Sequence, residues 1–139
     1  MKRGKPLRRR RKETCKHRAW DAFSKYIRLR DADENGMVKC ISCDDVKHWK
    51  EMQAGHFVAA SVSLALRFDE RNVNTQCPKC NCWDDRSIHR YTIAMRKKYG
   101  PDIVEELDEI RRNGQGFKIY ETGYRELLEK YQQKAEAPE

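Results

Sequence analysis

Four of the six cysteines fall in two Cys-x-x-Cys pairs, Cys40/Cys43 and Cys77/Cys80, with 33 residues between them. A two-residue gap lets a tight knuckle offer both thiolates to one ion, and two knuckles complete a tetrahedron around Zn2+. A hard ion such as Mg2+ would not choose sulfur. Four protein ligands leave no open coordination position, so the expected zinc, one per chain, is structural. It would pin residue 40 to residue 80 and hold everything between as a loop closed at its base. A segment that short cannot bury enough apolar area to order itself. A redox role for either pair is disfavoured by the presence of two pairs and by the lack of a βαβ pattern. Cys15 and Cys82 are left over and read as free thiols.

The charge distribution points to a polyanion. The net charge of the 139 residues is +8, and residues 1–12 hold eight basic side chains and no acid: Lys2, Arg3, Lys5, Arg8, Arg9, Arg10, Arg11 and Lys12. The whole excess therefore lies in this segment. Residues 13–100 carry 16 basic against 12 acidic side chains, and residues 101–139 carry 6 against 10. A run of like charge repels itself unless something neutralises it, so residues 1–12 are expected to be a disordered tail that contacts nucleic acid when bound. No apolar stretch follows the tail, which argues against a secretory signal and for metal rather than disulfides. No run of about 18 apolar residues exists to span a membrane. A cytoplasmic location is the resulting expectation.

Periodicity divides residues 13–139 into a core over about 38–99 and a helical extension over about 101–134, within one domain. Ala19, Trp20, Phe23, Tyr26 and Ile27 recur at helical spacing, predicting a helix from Thr14 to about Arg30 with Trp20 and Phe23 in the core. Val38–Cys43 reads as a strand running into a knuckle. Met52–Phe57 and a short stretch near Arg67–Phe68 are predicted to pair as a hairpin. Helices are expected over about Asp85–Tyr99, with Ile88, Tyr91, Thr92 and Met95 on one face, and over about Asp102–Arg112. A last helix begins near Thr122. Gly100-Pro101 separates the first two.

Inside the cysteine-bounded loop lie Ala54-Gly55-His56-Phe57, then Glu70-Arg71-Asn72-Val73, then Asn81 directly after Cys80. A His in the first strand, an Asn five residues before the second Cys-x-x-Cys and an Asn directly after it follow the order of an HNH-type nuclease. Phosphodiester hydrolysis needs a water relieved of a proton, which a neutral imidazole can accept near neutral pH. It also needs charge stabilisation at the phosphate and the departing 3′-oxygen. A divalent ion such as Mg2+ or Mn2+, held by oxygen ligands, supplies it. The pattern therefore proposes His56 as general base, Asn72 as the brace of its loop and Asn81 as a metal ligand.

The segments FSKYIRLRD, CISC, MQAGHF, LRFDERNVNTQC and the Cys80-Asn81 that precedes Tyr91 resemble the NinG (Rap) recombination nucleases of lambdoid phages. The similarity runs from about Trp20 to Tyr131. It implies an α+β fold, a zinc-tethered ββα-metal (HNH, treble-clef-like) core with flanking α-helices. It implies a structure-specific endonuclease acting on branched DNA such as displacement loops and Holliday junctions. It assigns His56, Asn72, Asn81 and the four paired cysteines the same roles, and it suggests a homodimer, since junctions are two-fold. Two positions depart from common patterns. Many HNH nucleases place a metal-binding Asp directly before the base His, where this chain has Gly55. Asp69, Glu70 or a water-rich shell are the alternatives for the second ligand. Family members often carry Gly-Asn where this chain has Arg86-Ser87. The competing reading is a non-catalytic zinc module that binds DNA through its tail and has no use for His56.

Overall fold

The computed structural model describes residues 14–82, 84 and 86–136. The basic tail expected over residues 1–12 lies outside the described residues. Helix α1 (Cys15–Arg30) begins at Thr14, whose hydroxyl accepts the His17 amide and so satisfies one of the donors a helix start leaves free. Its buried positions Ala19, Phe23 and Ile27 lie four apart on one stripe. Two short antiparallel hairpins follow. Strands β1 (Met37–Lys39) and β2 (Val46–His48) flank the first cysteine pair. Strands β3 (Gln53–His56) and β4 (Val73–Gln76) pair in the register Gly55 opposite Asn74 and His56 opposite Val73. Helix α2 (Pro78–Cys82) begins one residue after β4, so that the second pair has Cys77 in the gap and Cys80 on the helix. Helices α3 (Ser87–Tyr99), α4 (Ile103–Asn113) and α5 (Glu121–Glu136) complete the order.

The partner of β3 is therefore not the stretch near Arg67–Phe68. Leu64–Leu66 is a single 3-10 turn, and Arg67 and Phe68 continue it as a turn. The strand is Val73–Gln76, buried at all four positions although three of them are polar. Its Asn74 amide is satisfied inside the fold. Asn74 Oδ1 accepts from Arg30 Nη2, Lys98 Nζ and Tyr99 Oη, while its Nδ2 donates to the Arg71 carbonyl and to the Tyr91 hydroxyl. Buried amides cost free energy unless paired, so this network fixes the position of β4.

Three small apolar clusters share the burial. Phe23, Ile27, Val73 and Tyr131 join α1, the hairpin and α5, and α1 lies along α5. Val38, Met52 and three cysteines surround the knuckles. Leu66, Tyr91, Met95, Ile103 and Leu107 join the 3-10 turn to α3 and α4. The predicted inward face of α3 holds for Tyr91 and Met95. Ile88 is instead exposed, because the buried stripe of α3 runs through Ser87, Tyr91 and Met95, four apart, and Ile88 lies beside it. Among the described residues no helix is long and apolar enough to cross a membrane.

Candidate functional site

The two Cys-x-x-Cys pairs converge. The sulfurs of Cys40, Cys43, Cys77 and Cys80 all lie within 4.8 Å of one another, and Cys43 and Cys77 are 3.7 Å apart. A tetrahedron with Zn–S bonds of about 2.3 Å has edges of about 3.8 Å, so the four thiols could hold a metal ion such as zinc. The first knuckle closes through the Asp44 amide on the Cys40 carbonyl and the Cys40 amide on the Asp45 carbonyl. Asp44 takes the left-handed conformation that the turn requires. In the second, the Cys80 amide donates to Cys77 Sγ, as knuckle amides do toward a thiolate. Burial and the neighbouring thiols push the Cys80 thiol up. Four thiolates would not coexist there without a cation, so metal uptake must release protons. Cys15 and Cys82 stand outside the cluster, and Cys82 Sγ donates to Gln53 Oε1.

Beside this centre the hairpin opens into a cleft of about 540 Å3 that brings His56 and Asn81 together. The His56 ring stacks on Trp20, with centroids 4.8 Å apart and planes 20° apart. Trp20 thus packs against the core cluster on one side and forms a wall of the cleft on the other. His56 Nε2 lies 3.0 Å from the Arg67 carbonyl, which can only accept. The proton therefore sits on Nε2, and Nδ1 keeps its lone pair. Burial lowers the pKa of His56 below the ordinary histidine value, and the positive charge of Arg67 adds to this. The ring is neutral near neutral pH. The strand beneath is held by the Tyr91 hydroxyl, which donates to the Gly55 carbonyl at 2.7 Å.

Asn72 is fully buried and fastens the loop between β3 and β4. Its Oδ1 accepts the Val58 amide, and its Nδ2 donates to the carbonyls of Val58 and Leu66. The loop so held delivers the Arg67 carbonyl to His56. Asn81 is exposed on α2, and its Nδ2 donates to Gln53 Oε1 at 2.8 Å, which turns Oδ1 toward Gly55. Ser87 donates to the Cys80 carbonyl at 2.7 Å and so ties α3 to the second knuckle.

Asp69 and Glu70 do not line the cleft. Asp69 Oδ1 caps the amides of Arg71 and Asn72, and Glu70 Oε2 accepts from Tyr131 Oη and Lys134 Nζ. Among the described residues, the cleft holds two arginines and no carboxylate. Arg28 donates to the Trp49 and Met52 carbonyls. Arg67 lies over the Trp20 ring, with its buried Nε unpartnered. Sequence reasoning missed both. The signal for Arg67, an arginine eleven residues after the His, has no meaning until the loop is folded.

An α+β protein with a four-thiol centre clamped to a basic His/Asn cleft is the class these features define. The family model described as "Bacteriophage Lambda NinG protein" matches residues 2–139, and the chain belongs to the NinG family. It is 33% identical over 116 residues to the ninG protein of Escherichia phage 933W, covering 84% of this chain and 54% of that protein. It is 31% identical over 116 residues to the ninG protein of Escherichia phage lambda, covering 84% and 53%. The chain thus spans about half the length of these curated relatives. No solved structure matches.

Proposed function

We propose that this NinG-family chain is a divalent-metal-dependent DNA endonuclease of the HNH (ββα-metal) type, with a structural zinc at its four cysteines. Its substrate is branched DNA formed during phage recombination, in the host cytoplasm, and a homodimer suits a two-fold junction. The observation that carries the reading is the state of His56: neutral, locked by the Arg67 carbonyl, with Nδ1 free, in a cleft shared with Asn81. A structural histidine buried for packing has no need of a basic cleft beside it.

His56 Nδ1 accepts the proton of the attacking water. Stacking on Trp20 and the bond to the Arg67 carbonyl keep the ring from turning, so little orientation is lost when DNA binds. The Arg67 guanidinium, held over Trp20, offers a charge-assisted contact to a phosphate oxygen. Asn72 keeps the loop in register. Asn81 Oδ1 is a hard oxygen donor and fits a Mg2+ or Mn2+ ion, which when bound would stabilise charge on the phosphate and the departing oxygen.

The test is a cleavage assay of the zinc-loaded chain on a four-way junction and on linear duplex, with Mg2+ or Mn2+ supplied. Metal-dependent cutting of the junction in preference to the duplex supports the reading. Binding without cleavage under all these conditions would leave the chain a DNA-binding zinc module.

A further inference from the structure

Gly55 stands where many HNH nucleases carry a metal-binding Asp, and the structure gives a steric reason. A Cβ built on Gly55 would fall 1.7 Å from Gln76 Oε1 and 3.0 Å from Asn81 Oδ1. A side chain there would have to displace the end of the Gln76 side chain, which already takes the space. Gln76 is 3% exposed and directly precedes Cys77. Its Nε2 donates to Ser42 Oγ at 2.8 Å, and Ser42 lies between the two cysteines of the first knuckle. That bond points Oε1 away from Ser42 and toward Asn81. Oε1 accepts no hydrogen bond from the described residues.

We propose that Gln76 Oε1 is the second protein ligand of the catalytic divalent ion, replacing the missing carboxylate and making the ion site electrically neutral. The proposal rests on the nuclease reading above. Two amide oxygens, Gln76 Oε1 and Asn81 Oδ1, lie near each other beside Gly55 at the foot of β3, close enough to share one ion. Both amides are oriented by separate bonds, to Ser42 and to Gln53. Among the described residues no carboxylate lines the adjoining cleft, while Arg28 and Arg67 do. Affinity for a hard divalent ion rises with the number of anionic ligands. A neutral pair beside two arginines therefore binds the ion weakly until a DNA phosphate supplies the negative charge. Metal and DNA should then bind with positive coupling, and by linkage each must raise the affinity for the other by the same factor. The zinc centre sets the geometry, since Gln76 and its anchor Ser42 each lie beside zinc-ligand cysteines, and Asn81 follows Cys80.

The experiment measures Mn2+ binding to the zinc-loaded full chain by the loss of the free-ion EPR signal. It uses a His56→Ala background so that added junction DNA stays intact. The free protein should bind Mn2+ weakly, and junction DNA should tighten it at least about tenfold. Gln76→Glu, isosteric and newly anionic, should tighten Mn2+ binding without DNA by about tenfold or more. Gln76→Met, similar in size but without the oxygen, should abolish most of the DNA-induced gain while zinc content stays at one per chain. The proposal is overturned if Gln76→Glu leaves Mn2+ affinity unchanged while Asn81→Asp raises it. It is also overturned if Gln76→Met, with its zinc retained, binds Mn2+ on DNA like the parent. Either result leaves the nuclease reading intact, because that reading is decided separately by cleavage with His56 present.

Discussion

The His56 imidazole lies nearly parallel to the Trp20 indole, 4.8 Å from it, while Nε2 sits 3.0 Å from the Arg67 carbonyl. One contact fixes the ring plane and the other fixes the tautomer. They come from elements far apart in sequence, α1 and the loop after β3. Both are held by the same framework, the pairing of β3 with β4 and the packing of α1 on that hairpin.

This arrangement predicts the pH dependence of cleavage. In the proposed reaction the active form of His56 is neutral, and burial lowers its pKa. The rate should therefore stay on its plateau through the ordinary histidine pKa of about 6.5 and fall only at lower pH. Single-turnover rates between pH 5 and 8 on a four-way junction would check it, and a falling limb centred above 6.5 would contradict it. His56→Ala should lower the rate by at least about 10²-fold with junction binding changed only a few fold.

The four thiols predict a fold that depends on metal. Purified protein should contain one zinc per chain by elemental analysis, and loading should release protons. Cys77→Ser should lose zinc and the cooperative thermal transition, because metal binding and folding are coupled. An intact transition in that variant would show that the core stands without its metal.

Gly55 predicts a local incompatibility. Gly55→Ala puts a methyl carbon against Gln76 Oε1, at a distance no Cβ tolerates, so Gln76 must leave Ser42. Overpacking of this kind costs about 1–3 kcal/mol. Chemical denaturation of the variant should show a loss in that range. Combining it with Gln76→Ala should recover much of it, since the two changes act on the same pair of neighbours.

Asn72 predicts a marked stability effect in the loop between β3 and β4. Asn72→Ala leaves the Val58 amide and the Val58 carbonyl without their partner, while the Leu66 carbonyl keeps only the Asp69 amide. Each unsatisfied buried group costs about 1–3 kcal/mol, so a loss of at least about 2 kcal/mol is expected. Asn72→Asp should not rescue it, because a carboxylate keeps the Val58 amide and repels both carbonyls. Protease nicking within residues 58–66 should accelerate in both variants.

The parts of this architecture that were legible from sequence are those with a fixed local spacing. The Cys-x-x-Cys pairs announce a shared ion because two residues make a knuckle. Helix α1 and the extension beyond Gly100 announce themselves by apolar residues three and four apart. Strand β4 was not legible, because Asn74, Thr75 and Gln76 read as a polar loop while their side chains are buried against partners up to 44 residues away. The apparent strand at Arg67–Phe68 was two large side chains on a turn. Trp20 follows the helical period of a core residue, yet the cleft opens on that side of α1, so its ring also meets His56. Gln76 and Arg67 acquire meaning only once the loop closes. The absent Asp at position 55 was visible in the sequence, but its cause, a buried glutamine end in the same space, was not.

The last prediction concerns residues 1–12, which lie outside the described residues and are argued from charge alone. They contain eight basic side chains, and the net charge of the whole chain is also +8. A segment with so little apolar content cannot bury enough surface to fold by itself. It can bind phosphates by releasing condensed counterions, a contribution that carries no sequence information. Discrimination among DNA shapes then belongs to the cleft and its flanking helices. Deleting residues 1–12 should weaken binding to junction and to linear duplex by similar factors. The slope of log affinity against log salt should become shallower by roughly 0.9 for each phosphate that is no longer neutralised. The positions of cleavage should not move. Salt titrations of full-length and shortened protein on both DNAs would decide it. An unchanged slope would mean that these side chains do not touch DNA. Loss of junction preference with the slope reduced would mean that they also read the shape of the branch.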